Sequence, residues 1–258
     1  MSVIREDFIR RRFSLAAPRY GILSEVQKGV AAALAGRIRN AQGLCVLDVG
    51  AGDGALTKAL VKTGACVVSL DAAWGMVRMG KEQGDARLWI QADAVALPFK
   101  SESFDGLVSS SVYQWVDDLE TAFSQARRVV KPGGKMMIAM FGRGTLNEFF
   151  ESLECAAVSL KKSLPPIKRL ADQVEIARAL KAAGLKQVEM GVEHREVMFV
   201  SVTALLVWLK GVGANSLSGN FFWGKGLLAA LEKEYRARFL VNDRLRASFE
   251  VVWIEAKV

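Results

Sequence analysis

A glycine-rich turn after an apolar run is the part of the sequence best suited to hold a small molecule. The segment VLDVGAGDG occupies residues 46–54 and carries glycines at three alternate positions. Glycine lets the backbone approach a ligand closely at the carboxyl end of a strand, which is where doubly wound sheets bind their ligands. Gly50, Gly52 and Ala55 also fit the dinucleotide pattern G-x-G-x-x-G/A, so a nicotinamide cofactor is one interpretation of the turn.

Carboxylates around the turn favour a different ligand. A pyrophosphate binds to amide donors and positive potential, whereas Asp48 and Asp53 suit a cation with an amino group. S-adenosylmethionine, which carries a sulfonium and an ammonium, is such a ligand. The next two predicted strands also end in acids. Asp71, 21 residues after Gly50, is placed to accept the ribose hydroxyls, and Asp93 is placed to accept from the adenine amino group.

Short apolar runs alternate with helical stretches and position these residues. Strands are predicted at LCVLDV, ACVVSLD, RLWIQAD, FDGLVSSS and KMMIAMF, with helices near 54–63, 74–83 and 119–130. This alternation indicates a parallel sheet with helices on both faces. The tetrapeptide KPGG at 131–134 is expected to be a turn that ends a helix and begins a strand.

Beyond Gly142 the alternation loosens. Residues 143–183 are predicted to be helical with a break at 164–166, residues 185–200 to form a strand, and residues 201–210 and 224–238 to form helices. The final run SFEVVWIEAKV is predicted to be a strand. We therefore expect an α/β fold with a doubly wound, mostly parallel seven-stranded sheet and helical lid insertions. One structural domain would contain a helical cap (1–40), a Rossmann-like ligand-binding core (41–142) and the remaining strands with the lid (143–258).

The composition excludes several classes of protein. With 51% hydrophobic and 24% charged residues in 258, the chain has ample material for a folded core. Its longest nearly apolar run, residues 197–209, is too short to span a membrane. Three scattered cysteines indicate a reducing, cytoplasmic compartment. A single histidine, His194, argues against a metal site and against Ser-His chemistry. The net charge of +8 favours an acidic partner.

The motifs together resemble the class I S-adenosylmethionine-dependent methyltransferases over roughly residues 40–142. The matching runs are VLDVGAGDG, Asp71, Asp93 with LPF, FDGLVSSS and RVVKPGGKMMIAMF. Four further runs, at 13–20, 114–115, 141–146 and 208–215, resemble the malonyl-[acyl-carrier protein] O-methyltransferases of biotin synthesis. That resemblance implies methyl transfer to the free carboxylate of a malonyl thioester on acyl-carrier protein or coenzyme A. The pair Val112-Tyr113 departs from the small aliphatic residues that are commoner there.

Twelve residues are expected to form the site. The cofactor residues are Asp48, Gly50, Gly52, Gly54, Asp71, Asp93, Ala94 and Ser109. Tyr20 would close over the substrate, as the matching tyrosine of the family implies. Gln114 and Trp115 follow the fourth strand, whose end would face the transferred methyl group, and Arg143 follows the fifth strand, where it could pair with a carboxylate. Because that carboxylate is already ionised at pH 7, no catalytic base is expected.

Two other functions stay open on the sequence alone. One is another small-molecule O- or C-methyltransferase with the same core, and the other is a non-catalytic S-adenosylmethionine-binding or assembly protein. A nucleic-acid methyltransferase is disfavoured, because SSSVYQW follows the fourth strand in place of an Asn/Asp-Pro-Pro-aromatic run. An acidic carrier protein agrees with the basic net charge. We expect a monomer that contacts neither nucleic acid nor a membrane.

Overall fold

A single sheet forms the centre of the computed structural model, which describes residues 2–83, 86–164, 169–212 and 224–258. Its strands within these ranges are β1 (Cys45–Val49), β2 (Cys66–Asp71), β3 (Leu88–Gln91), β4 (Phe104–Ser110), β5 (Val130–Phe141), β6 (Gln187–Phe199), β7 (Leu240–Val241) and β8 (Arg244–Lys257). Seven of them lie side by side in the order β3-β2-β1-β4-β5-β8-β6, and the two-residue β7 pairs with β8.

The first five strands are parallel to one another. β8 then inserts antiparallel between β5 and β6 and pairs with both. The prediction of a doubly wound, mostly parallel seven-stranded sheet is therefore confirmed. Burial on both faces explains why the central strands read as continuous apolar runs rather than as alternating ones.

Helices cover both faces of this sheet. They are α1 (Ser2–Leu23), α2 (Glu25–Arg37), α3 (Ala55–Lys62), α4 (Trp74–Gln83), α5 (Leu119–Val129), α6 (Asn147–Ser159), α7 (Gln173–Ala182), α8 (Val202–Gly211) and α9 (Lys225–Phe239), with a 3₁₀ turn at Tyr113–Trp115. Local sequence sets several of the starts. The Asp118 side chain accepts from the backbone of Thr121, and Asp172 forms a capping box with Glu175, which satisfies amides that the helix leaves unpaired.

Two apolar cores lie on opposite faces of the sheet. Along β1, Val46 belongs to the core under α2 and α3, whereas the next residue, Leu47, belongs to the core under α5 and α7. Val108 and Leu107 of β4 divide between the two cores in the same way. Successive side chains of a strand point to opposite faces, so each central strand anchors both layers of helices and fixes the position of its own carboxyl end.

The KPGG tetrapeptide differs from its prediction. Helix α5 ends at Val129 as expected, but residues 131–134 lie inside β5, where the pairing with β4 changes register. Gly133 has a φ of +82°, and its N–H donates to the carbonyl of Val258 at 2.7 Å. The glycines therefore form an irregularity within the strand, held by Val258 directly after β8, rather than a turn before it.

Two sequence-predicted features fall partly outside the described residues. Residues 165 and 166 of the predicted helix break at 164–166 lie outside the described ranges. Residues 213–215 of the run at 208–215 lie outside them as well. Among the described residues, no helix combines the length and apolar character needed to cross a membrane.

Candidate active site

The carboxyl ends of β1 to β4 open into a cleft that α1 covers. This space, here called the lid cleft, encloses about 820 Å³ including its open mouth. It is defined by side chains and backbone of α1 and the strand ends, among them Arg10, Phe13, Tyr20, Gly50, Asp71 and Asp93.

The glycine turn forms the floor of the lid cleft. Gly50 has a φ of +70°, a conformation that favours glycine because a side chain there would crowd the backbone. A Cβ on Gly50 would also lie 2.2 Å from the Cγ2 of Val112. Gly52 borders the cleft as well, whereas Gly54, at the start of α3, packs against the ring of Trp89.

Asp71 is tied to this floor by its backbone neighbours. Its carboxylate accepts from the N–H of Gly52 at 3.0 Å and from the N–H of Ala73 at 2.8 Å. Burial raises the pKa of Asp71 to about 6, against the lowering effect of these two hydrogen bonds. The carboxylate of Asp71 is therefore ionised at neutral pH and oriented at the mouth of the turn.

Asp93 borders the lid cleft just after β3, where the N–H of Ala92 donates to the backbone carbonyl of Asp71 at 3.2 Å. Its side chain accepts from the N–H of Val95 at 3.0 Å and is ion-paired with the guanidinium of Arg10. Ala94 borders the cleft next to it and is buried. The pair of Arg10 and Asp93 thus joins α1 to the loop after β3, across the edge of the cleft.

A second, smaller space lies behind the glycine turn. This acid pocket has a volume of about 360 Å³ and is lined by Gln27, Lys28, Asp48, Asp53 and Ser110 among others. Asp53 lies 3.8 Å from the ammonium of Lys28. Two carboxylates in one pocket can bind a ligand amine, as the sequence predicted.

Asp48 is the buried carboxylate of the acid pocket. It is only 1% exposed and accepts from the hydroxyl of Thr57 at 2.6 Å, while Thr57 is hydrogen-bonded to Ser69 at 2.8 Å. Burial raises the pKa of Asp48 to about 7, and the hydrogen bond from Thr57 opposes that rise. At neutral pH Asp48 is therefore divided between its neutral and its charged form, and a cationic group that approaches it favours the charged form.

A third space is almost entirely apolar. This apolar chamber encloses about 440 Å³ including its opening to solvent, and its walls include Phe13, Trp115, Phe141, Leu146, Trp208 and Phe249. The polar side chains at its surface are uncharged, namely Tyr20, Gln27, Ser111, Gln114 and Thr145. Gln114 accepts from the N–H of Phe141 at 3.3 Å.

Tyr20 borders all three spaces. Its ring lies 6.3 Å from that of Phe13, whose ring lies 5.8 Å from that of Trp115. Burial and the charges of Asp53 and Asp71 raise the pKa of Tyr20 well above its ordinary value. The phenol therefore stays protonated at neutral pH and can donate a hydrogen bond, but it cannot act as a base.

Three of the expected residues are placed elsewhere, namely Gly54, described above, Ser109 and Arg143. The hydroxyl of Ser109 is fully buried and donates to the carbonyl of Val49 at 2.7 Å. The guanidinium of Arg143 donates to Glu175 at 2.8 Å and lies 3.4 Å from Asp172, at the acidic start of α7. Neither side chain belongs to the described lining of the three spaces. The acidic cap of α7 explains the direction that Arg143 takes.

Several lining residues were not anticipated from the sequence. Arg10 and Phe13 lie on the same face of α1 as Tyr20, and their helical spacing of three and seven residues was the signal available. Ser110 and Ser111 follow Ser109 in the same serine run and line the lid cleft instead of it. Among the described residues, no group of three metal-ligating side chains occurs.

This fold and site define a class I S-adenosylmethionine-dependent methyltransferase. The acids at the strand ends fit a cation with a ribose, and the hydroxyls of Ser110 and Ser111 are buried without a partner among the described residues, as expected where a polar ligand completes the site. Residues 47–138 match a family described as "Methyltransferase domain".

Solved structures show the same fold. The YcgJ protein from Bacillus subtilis superposes with a TM-score of 0.64 at 18% identity, over 89% of this chain and 97% of that one. A putative methyltransferase from Bacillus halodurans gives a TM-score of 0.63 at 18% identity, over 89% and 98%. At these identities the likeness concerns the fold alone.

Sequence relatives are more specific. The malonyl-[acyl-carrier protein] O-methyltransferase of Geobacter sulfurreducens is 31% identical over 256 residues, which cover 95% of this chain and 96% of the relative. The enzyme of the same name from Methylovorus sp. is 30% identical over 95% and 86% of the two chains. The chain belongs to the malonyl-[acyl-carrier protein] O-methyltransferase family. Its predicted membership is confirmed, and S-adenosylmethionine rather than a nicotinamide is its cofactor.

Proposed function

We propose that the chain methylates the free carboxylate of malonyl-acyl-carrier protein in biotin synthesis, the reaction named for its relatives. The observation that carries this proposal is the meeting of three spaces at Tyr20. Two of them hold carboxylates suited to the cofactor, and the third is an apolar chamber suited to an acyl chain.

The cofactor residues follow from the charges around the turn. Asp71 would accept the ribose hydroxyls, Asp93 and the backbone beside it would contact the adenine, and Asp48 would face the ammonium in the acid pocket. Gly50 and Gly52 would let the backbone approach the same ligand. When bound, the cofactor supplies an electrophilic methyl group.

The chain would promote transfer by alignment and by exclusion of water. A carboxylate oxygen of the acceptor forms the new bond to the methyl carbon, the bond from that carbon to sulfur breaks, and no proton moves. Since Tyr20 stays protonated, it would orient the ligands rather than act as a base. Trp115 and Gln114, which border the apolar chamber, would cover the acceptor.

The expected partner is an acidic carrier protein, in agreement with the net charge of +8. A monomer acting in the cytoplasm stays the expectation from the sequence. Arg143 stays a predicted acceptor residue that would have to leave Glu175 and Asp172 to serve this role.

Mass spectrometry of the acceptor tests the proposal. The purified chain is incubated with S-adenosylmethionine and malonyl-acyl-carrier protein, and we expect the acceptor to gain the mass of one CH₂ group. Acetyl-acyl-carrier protein, which lacks the free carboxylate, is the matched control and should gain nothing. Cofactor binding without any transfer would support a non-catalytic protein, and transfer to an unrelated small molecule alone would support a different methyltransferase.

A further inference from the structure

The described residues that line the apolar chamber include no cation that could pair with the carboxylate of the proposed acceptor. The chamber's described lining contains no Lys, Arg, His, Asp or Glu, although a malonyl group carries a carboxylate. A buried carboxylate without a partner is strongly disfavoured. The following inference rests on the proposed function and concerns how the chain meets that charge.

Two polar side chains of the chamber have unused hydrogen-bonding capacity. The Gln27 amide oxygen and the Ser111 hydroxyl are both buried and have no hydrogen-bond partner among the described residues. Each also lines a second space, since Gln27 borders the acid pocket and Ser111 borders the lid cleft. Both therefore lie where the acceptor side and the cofactor side of the site meet. The Ser111 hydroxyl can donate to a carboxylate as it stands. The unpaired Gln27 oxygen can only accept, but a half-turn of the amide exchanges it with the NH₂ group, which then donates to a carboxylate from the same buried position.

The backbone of Ser111 points to the same role. Its φ is +61°, in the left-handed region that favours glycine. Its N–H donates to the carbonyl of Ala139 at 2.8 Å, which holds the residue beside the end of β5. A serine kept in a conformation suited to glycine, with an unsatisfied hydroxyl, is the kind of local strain that collects at functional sites.

We propose that Gln27 and Ser111 bind the acceptor carboxylate as neutral hydrogen-bond donors, and that its charge is balanced only when a positively charged cofactor occupies the adjoining spaces. Neutral donors orient a carboxylate without neutralising it. The chamber would therefore bind the acceptor tightly beside a cation and weakly beside the uncharged, demethylated cofactor.

Binding of malonyl-coenzyme A, measured by calorimetry without turnover, tests this inference. The chain is saturated either with sinefungin, in which an amine cation replaces the sulfonium, or with uncharged S-adenosylhomocysteine. Acetyl-coenzyme A, measured in parallel, isolates the contribution of the carboxylate. We expect the preference for malonyl over acetyl to be about tenfold or more larger with sinefungin, the scale of one hydrogen-bonded charge contact.

Substitutions assign the effect to the two side chains. Gln27→Leu and Ser111→Gly should each weaken malonyl-coenzyme A binding by about 10- to 100-fold on the sinefungin-saturated protein, while acetyl-coenzyme A binding to the same saturated protein stays within about threefold. Ser111→Gly should also keep or raise the unfolding temperature, because glycine tolerates the positive φ, and a merely structural serine would not give that combination. The exposed residues Gln173 and Ser159 provide the matched controls Gln173→Leu and Ser159→Ala.

Two results would overturn the inference. One is an equal malonyl preference beside sinefungin and S-adenosylhomocysteine. The other is unchanged malonyl-coenzyme A binding in Gln27→Leu and Ser111→Gly together with its loss in Arg143→Gln, which would make Arg143 the anchor. Failure of the proposed function has a different signature, since the unsubstituted chain would then show neither methyl transfer to a malonyl thioester nor any preference for malonyl over acetyl.

Discussion

Replacement of Asp48 by asparagine should make the protein more stable and abolish cofactor binding. The carboxylate is 1% exposed and its pKa is raised to about 7 by burial. Asparagine has nearly the same shape and can still accept from the hydroxyl of Thr57, which lies 2.6 Å from Asp48. The substitution therefore removes the buried charge while it keeps the local hydrogen bond.

The magnitude follows from the two protonation states. Asp48 has an ordinary pKa of 3.8 and a folded-state pKa of about 7, so its contribution to stability is fully present below pH 3.8 and is lost as the pH rises through 7. That loss is about 4 kcal/mol in total, because each unit of difference between the folded and the ordinary pKa corresponds to roughly 1.4 kcal/mol. Asparagine does not titrate, so the unfolding free energy of Asp48→Asn relative to the unsubstituted protein should increase by about 3 kcal/mol between roughly pH 5 and pH 8.

Thermal unfolding at several pH values measures this difference. For a chain of this length, 3 kcal/mol corresponds to an increase in melting temperature of about 6 to 12 °C at roughly pH 8. Asp105→Asn is the control, because Lys131 lowers the pKa of Asp105, and it should give no such gain. Parallel pH curves for Asp48→Asn and the unsubstituted protein would refute the argument that burial of this carboxylate is costly. Calorimetry on the same variant should show loss of S-adenosylmethionine binding.

Three further substitutions test other parts of the site. Gly50→Ala should lower the unfolding free energy by about 3 kcal/mol, because the added Cβ meets Val112 at 2.2 Å and the backbone has positive φ. Adding Val112→Ala to this variant should restore part of the lost denaturation midpoint. Tyr20→Phe should raise the KM for the acceptor severalfold with an unaltered pH profile of kcat, since the phenol stays protonated; a new ionisation in that profile would contradict this role. Arg10→Ala should speed cofactor dissociation, measured by stopped flow, about fivefold, because a partly exposed ion pair contributes roughly 1 kcal/mol. High salt screens that pair, so it should make the dissociation rates of the variant and the unsubstituted protein equal. The exposed Arg11 supplies the control, and an equal effect of Arg11→Ala would argue for a general charge effect.

Most of the sheet could be predicted because its strands are buried on both faces and read as apolar runs between helices. The start of β8 could not be placed as well. The run SFEVVWIEAKV predicts a strand that starts at residue 248. In the structure β8 begins earlier, at Arg244, and pairs with the short β7. Asn242 and Asp243, both with positive φ, form the two-residue connection, and such residues are the usual signal of a tight hairpin.

Within the site, the positions of the acids were predictable, whereas those of Arg143 and Gln27 were not. Asp71 and Asp93 follow parallel strands, whose carboxyl ends meet along one edge of a sheet whatever the loops do. The direction of Arg143 depends on the acidic start of α7, which is 29 residues away in sequence. The place of Gln27 depends on how α2 packs beside the glycine turn. Both are set by tertiary contacts that no local pattern encodes.

The position of α1 links the release of the product to the release of the spent cofactor, which are separate events in many transferases. Its residues Arg10, Phe13 and Tyr20 cover the lid cleft, and Phe13 and Tyr20 also wall the apolar chamber. A displacement of this helix would uncover both spaces at once, so the ester and the spent cofactor would leave during the same opening. The frequency of that opening would then set a common upper limit on turnover, which faster chemistry at the methyl group could not exceed.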